Sequence, residues 1–121
     1  MESLYFELGG SKVIERIVDA LYGRVLRDQE LAPFFADIDP VLLRHKFCTF
    51  MNTVAGGPYE RSGLELRSAH FGAVNAGLSD SHVDKFVTHF SEVLAETAVP
   101  SPVSDALIAR VNEFRGDVLG L

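Results

Sequence analysis

The chain has 121 residues, of which 47% are hydrophobic, and carries a net charge of −6, a length that suits one domain over residues 1–121 with one core. It has no Lys/Arg run, so neither nucleic acid nor an anionic membrane surface is an expected partner; no charged start followed by an apolar run marks a signal peptide, and no stretch nears the roughly 20 apolar residues of a membrane span. The one cysteine, Cys48, has no internal disulfide partner, which points to a reducing cytoplasm.

Met1 to Leu8 is a short lead-in with room for a helical turn, ended by Gly9-Gly10. Ser11 is placed to cap a helix reaching about Arg27. Its apolar positions are Val13, Ile14, Ile17, Val18, Leu21, Tyr22, Val25 and Leu26, the three–four spacing of one buried face. Asp28 to Asp39 reads as a corner, in which Pro33 ends any helix and Phe34-Phe35 supply the apolar content. Asp39-Pro40 is the cap and first-turn proline of a helix to about Ala55. Leu43, Phe47, Phe50, Met51 and Val54 share one side of it, and Gly56-Gly57-Pro58 stops it.

Residues 58 to 63 read as loop, Leu64 to Phe71 as a short helix carrying His70, and the stretch with Gly72 and Gly77 as another loop. Ser81 with Asp84 fits a capping box. The helix it opens has Val83, Phe86, Val87, Phe90, Val93 and Leu94 on one face. Pro100-Ser101-Pro102 breaks the chain and opens a last helix striped by Val103, Leu107, Ile108, Val111, Phe114 and Val118. No segment alternates with period two for long enough to be a strand. The expected fold is all-α, with four main helices plus short pieces, and two antiparallel pairs crossing one another would bury these stripes. Nine Phe and no Trp either pack a core directly or line a cavity for a flat apolar ligand. Periodicity does not separate the two.

Two residues carry the chemistry that composition leaves open. A neutral imidazole at His70, facing an apolar pocket, is a natural haem-iron ligand, with its other ring N–H held by carbonyls of the preceding turn. Ala69 beside it is small enough to let the helix approach a planar ring. Tyr22 interrupts an aliphatic stripe. Its O–H either reaches the surface or points into the pocket, where it would stabilise a partly anionic bound gas.

Gly9-Gly10, Tyr22, Phe34-Phe35, Gly56-Gly57-Pro58 and Ala69-His70 stand in an order that resembles the truncated (two-over-two) globins, group I, over nearly the whole chain. The resemblance implies a two-over-two helical sandwich around one b-type haem, with His70 as the proximal iron ligand and Tyr22 as the distal tyrosine. It places Phe35 on the corner phenylalanine, with Phe34 beside it, and Arg67 among the haem-binding residues. Phe86 falls at the border of the distal cavity, where its bulk narrows any tunnel for gas. Leu43, Phe47 and Phe50 become a distal wall. Many relatives carry glutamine at the positions of Leu43 or Phe47, and this chain has neither, which leaves Tyr22 as the one obvious neutral donor. Lys46 matches a position from which some relatives supply a distal iron ligand. An amine binds iron only when deprotonated, and the alternative is a lysine reaching a haem propionate.

His45 and Cys48 are three apart, but no further ligand has matching spacing, so a zinc site is weak. His82 and His89 are roughly 10 Å apart along a helix, too far to chelate one ion, and both read as surface or capping residues. The expected function is binding of dioxygen, nitric oxide or carbon monoxide at the haem. One alternative is a nitric oxide dioxygenase served by a reductase partner. Another, from a different class, is a haem-free helical interaction module.

Overall fold

The structure, a computed structural model, describes residues 4–56 and 77–119. Every element among them is helical. In chain order they are α1 (Leu4–Leu8), α2 (Ser11–Arg27), a 3-10 turn (Ala32–Phe35), α3 (Pro40–Val54), α4 (Asp80–Glu96), α5 (Ser101–Glu113) and α6 (Arg115–Leu119). The expected helix around His70 lies outside the described residues.

The core forms where the stripes meet. α2 packs on α3 and on α4, α4 packs on α5, and α1 bridges α2 and α5. Ile14, Ile17, Val18, Leu21 and Val25 from α2 meet Phe90, Val93 and Leu94 from α4, all at most 1% exposed. Leu107 and Val111 from α5 and Met51 and Val54 from α3 complete the cluster. Leu26 does not join it. The expected α2 face includes this residue, but it is 38% exposed, because it sits past the edge of an arc already filled by Leu21 and Val25.

The helix ends follow local chemistry, sometimes one step away from expectation. α2 is capped by Gly10 at φ 81°, with Ser11 already inside the helix. Gly9 must be glycine for two reasons. Its φ is 115°, and a Cβ there would stand 2.7 Å from Val13 Cγ2. Pro33 does not end a helix. It lies in the first turn of the 3-10 turn, where a proline's missing N–H costs nothing. Asp39 caps α3 as expected, its carboxylate accepting the N–H groups of Val41 at 2.9 Å and Leu42 at 3.1 Å.

The capping box of α4 is formed by Ser79 and His82, not by Ser81 and Asp84. The Ser79 N–H donates to His82 Nδ1 at 3.0 Å. Starting two residues early brings Asp80 into the first turn, where a negative charge suits the helix dipole. The last expected helix is two, because the backbone turns at Phe114 between α5 and α6. Arg115 then anchors α6 to the start of α4, through Asp80 at 3.0 Å and Asp84 at 2.8 Å.

The end of α3 is held from two sides. The Tyr5 N–H of α1 donates to the Ala55 carbonyl at 2.8 Å. Arg110 of α5 donates its Nε–H to the Val54 carbonyl at 3.3 Å, satisfying an acceptor that a helix C-terminus leaves open. No helix of the described residues is long and apolar enough to cross a membrane.

Candidate functional site

Apart from Phe90, which is 1% exposed within the core, the rings of α2, the corner, α3 and α4 do not mix into the aliphatic cluster. They gather beside it, where α2, the corner, α3 and α4 converge. Phe47 on α3 is the centre. Its ring meets Tyr22 of α2 at 6.1 Å between centroids, Phe35 of the corner at 5.8 Å and Phe86 of α4 at 6.2 Å. All three contacts are edge-to-face, the geometry aromatic quadrupoles favour. Phe50, one turn beyond Phe47, meets Phe114 at 5.9 Å. Arg110 lies over that Phe114 ring, 5.5 Å from its centroid.

These rings differ from the core in one respect. Tyr22, Phe34, Phe35, Phe47, Phe50 and Phe86 are all half-buried, and the last four pack on the aliphatic cluster without being sealed by it. Leu43, on the same side of α3, is buried. The Tyr22 hydroxyl makes no hydrogen bond with any described residue. A half-covered wall of phenylalanine with one unengaged phenol beside it fits a flat apolar group with a polar ligand on its face. Lys46 is half-buried on α3 and forms no ion pair with a described residue. The structure thus brings Tyr22, Phe35, Phe47 and Phe86 together and places Phe34 next to them in the corner. His70 and Arg67 lie outside the described residues.

The histidines sort differently from the sequence reading. His82 is a capping residue, as expected, and its ring also stands edge-on to Phe34, with centroids 4.9 Å apart. His89 is partly buried and paired. Its Nε2 lies 2.8 Å from Asp28 Oδ2, and the two side chains are only 22% and 10% exposed. The hydrogen bond from His89, and next the backbone N–H of Glu30, hold the Asp28 carboxyl below the usual carboxylate range. Spacing along α4 gave no sign of this pair, whose partners stand 61 residues apart in the chain. Cys48 is half-buried and burial pushes its thiol up, which makes it a poor nucleophile. No three His, Cys, Asp or Glu side chains among the described residues are placed to hold a metal.

A bacterial-like globin family model matches residues 3–120. The chain is 35% identical to the group 1 truncated hemoglobin GlbN of Synechocystis, covering 96% of this chain and 91% of the relative. It is 32% identical to the group 1 truncated hemoglobin GlbN of Nostoc commune, covering 98% of each. The chain belongs to the group 1 truncated hemoglobins.

Among solved structures, the 2/2 hemoglobin of Synechococcus sp. PCC 7002, in the cyanomet state with covalently attached heme, superposes with a TM-score of 0.91 at 32% identity. The match covers 99% of this chain and all of that one. THB1 of Chlamydomonas reinhardtii superposes at 0.86 with 33% identity, over 98% of this chain and 97% of that one. The fold is therefore the two-over-two truncated globin, of a family that binds haem and diatomic gases. In this truncated hemoglobin the four-ring cluster around Phe47 falls between α2, the corner, α3 and α4.

Proposed function

We propose that this truncated hemoglobin holds one b-type haem between the aromatic wall of α3 and the segment carrying His70, and binds a diatomic gas beside Tyr22. The observation that carries the reading is the half-buried cluster of Tyr22, Phe35, Phe47 and Phe86, set against an aliphatic core that is fully sealed.

When bound, the haem supplies an iron centre that takes a small gas ligand. The chain's own groups do the rest. Phe35, Phe47, Phe50 and Phe86 offer ring faces and edges to a flat macrocycle, and with Leu43 they exclude water from it. The Tyr22 O–H donates to a partly anionic gas, with no neighbouring glutamine to share the task. His70 is the proximal ligand in this reading, with Phe34 and Arg67 at the haem edge. Lys46 reaches a propionate from the half-buried side of α3. With its single cysteine, Cys48, the protein suits a reducing cytoplasm, where a reductase partner would keep the iron ferrous.

An absorption spectrum of the purified, hemin-reconstituted protein tests the reading. An intense band near about 400 nm is expected, as for histidine-ligated haem, and His70→Ala should lose it or keep it only with added imidazole. An unchanged spectrum in that variant overturns the role of His70, and no band in the wild type overturns haem binding. A ferric pH titration decides Lys46. A low-spin form that grows with pH and vanishes in Lys46→Ala would move the lysine from propionate to iron, because an amine binds metal only after losing its proton.

A further inference from the structure

The corner between α2 and α3 is tied to α4 by a seam outside the ring cluster. On α4, His82, Lys85 and His89 follow at spacings of three and four, which is one helix face. They meet the corner in reverse chain order. His82 stands edge-on to Phe34, Lys85 Nζ lies 3.4 Å from the Glu30 carboxylate, and His89 Nε2 lies 2.8 Å from Asp28. Phe86 sits within the same stretch of α4 and meets Phe47. One stretch of α4 thus governs both where the corner lies and where the Phe86 ring lies.

Lys85 Nζ also lies 3.8 Å from Asp28 Oδ2, and of these four contacts Asp28–His89 is the one withdrawn from water and hydrogen-bonded. Glu30, in the Lys85 pair, is 58% exposed, which makes that pair a weak tether. Asp28 also shapes the corner itself, because its Oδ1 accepts the N–H groups of Glu30 at 2.8 Å and Leu31 at 3.3 Å. One carboxylate therefore folds the turn that leads to Phe34 and Phe35 and grips α4 at the same time. On the other side, His89 Nδ1 is buried without a hydrogen-bond partner among the described residues. A buried unpaired nitrogen is costly. A leucine would fill this place without that cost, so what the imidazole contributes is the bond to Asp28.

We propose that Asp28 and His89 are a positioning pair for the pocket wall: their hydrogen bond fixes Phe35 on the corner and Phe86 on α4 so that both rings close on Phe47. The proposal rests on the haem reading for what the wall faces, but not for how the wall is held. With the bond broken, the corner and α4 are free to part, and a ligand in the pocket meets more than one arrangement of rings.

Three variants test this. His89→Leu removes the bond and keeps the bulk. His89→Gln keeps an N–H close to the position of Nε2. His89→Met also lacks an N–H for Asp28, and leaves in place the Asp28 carboxylate and Lys85, whose Nζ lies 3.8 Å from Asp28 Oδ2. Two readouts report on the wall: ring-to-ring NOEs of Phe35 and Phe86 with Phe47 in haem-free protein, and the carbon monoxide stretching band of the haem-loaded protein. His89→Leu should weaken both NOEs, split the single band, and speed haem loss about tenfold, the scale usual for groups that orient a ligand's neighbours. His89→Gln should restore all three.

NOEs and a single band unchanged in His89→Leu would overturn the proposal, whatever happened to the melting temperature. If His89→Leu does not fold, His89→Met against His89→Gln decides, since the first has no N–H for Asp28 and must split the band, and the second must not. A wild type that takes up no haem, but whose NOEs respond as described, would sink the haem reading and leave the positioning role standing.

Discussion

Two halves of this small helical protein are built on different terms. Where α2, α4 and α5 meet, the side chains are mostly aliphatic and at most 4% exposed. Where α2, the corner, α3 and α4 meet, they are aromatic, half-buried and edge-on to one another. An aliphatic cluster closes on itself, because branched and flexible chains interdigitate to crystal-like density. Rings meeting edge to face around a single Phe47 stay half-buried among the described residues. Under the proposed haem reading, the first half would supply the stability and the second the ligand-facing wall.

The largest test of this contrast is a pair of substitutions. Leu21 is completely buried, so Leu21→Ala should cost about 2–5 kcal/mol, equally with and without haem, read from the denaturant midpoint at unchanged slope. Phe47→Leu removes some bulk and three edge-to-face ring contacts, so it should cost about 1–2 kcal/mol in haem-free protein and show its main effect as faster haem loss. Equal costs for the two in haem-free protein would mean that the aromatic half is core after all.

Next in size is Tyr22→Phe, which removes a donor and keeps the ring on Phe47. Dioxygen release should speed up by about 1.5–3 kcal/mol if the lost bond is charge-assisted, while unfolding should move by no more than about 0.5 kcal/mol. Stopped-flow release of dioxygen from the ferrous protein is the measurement. An unaltered off-rate would take Tyr22 out of the gas site.

The sequence made the aliphatic half readable and the aromatic half only in outline. A three–four stripe such as Ile14, Ile17, Val18, Leu21 and Val25 states its own burial, because one helix suffices to display it. The ring cluster is assembled from four elements, so spacing could nominate Phe35, Phe47 and Phe86 but could not show that all three close on one ring. It was the resemblance that put them in one pocket. The caps at Gly10 and Ser79 came out one or two residues from expectation, since several residues in each stretch were competent caps and tertiary contacts chose among them. The Asp28–His89 pair was hidden for a related reason. His89 on a helix that also carries Lys85 and Glu92 looks like part of a solvated face, and only the approach of the corner changes its surroundings.

A smaller effect belongs to the start of α3, the helix that carries Phe47 and Phe50. Asp39→Ala removes the acceptor for the Val41 and Leu42 N–H groups and should cost about 1 kcal/mol. Because the helix concerned bears Phe47 and Phe50, haem loss should quicken as well. Asp39→Ser, another good cap, should recover most of both. Loss of stability without any change in haem retention would separate the cap from the wall.

The smallest effect should be a gain, confined to the sealed half. Ala98 follows the end of α4 with φ at 58°, and the Val99 N–H reaches back to the Leu94 carbonyl at 3.1 Å, the wrap that closes a helix C-terminus. A residue with a Cβ pays about 1–2 kcal/mol for this left-handed backbone. Glycine avoids that strain but gives back about 0.4–1 kcal/mol through the freer unfolded chain. Ala98→Gly should therefore stabilise the protein by a net of under about 1.6 kcal/mol, with a midpoint of about 0.8 kcal/mol. Ala98 is exposed and lies at the far end of α4 from Phe86, so haem loss and dioxygen release should not change. A melting temperature that rises with both rates constant would show the two halves to be independent. A rise that also slows haem loss would mean that stability gained at the end of α4 is felt in the pocket wall.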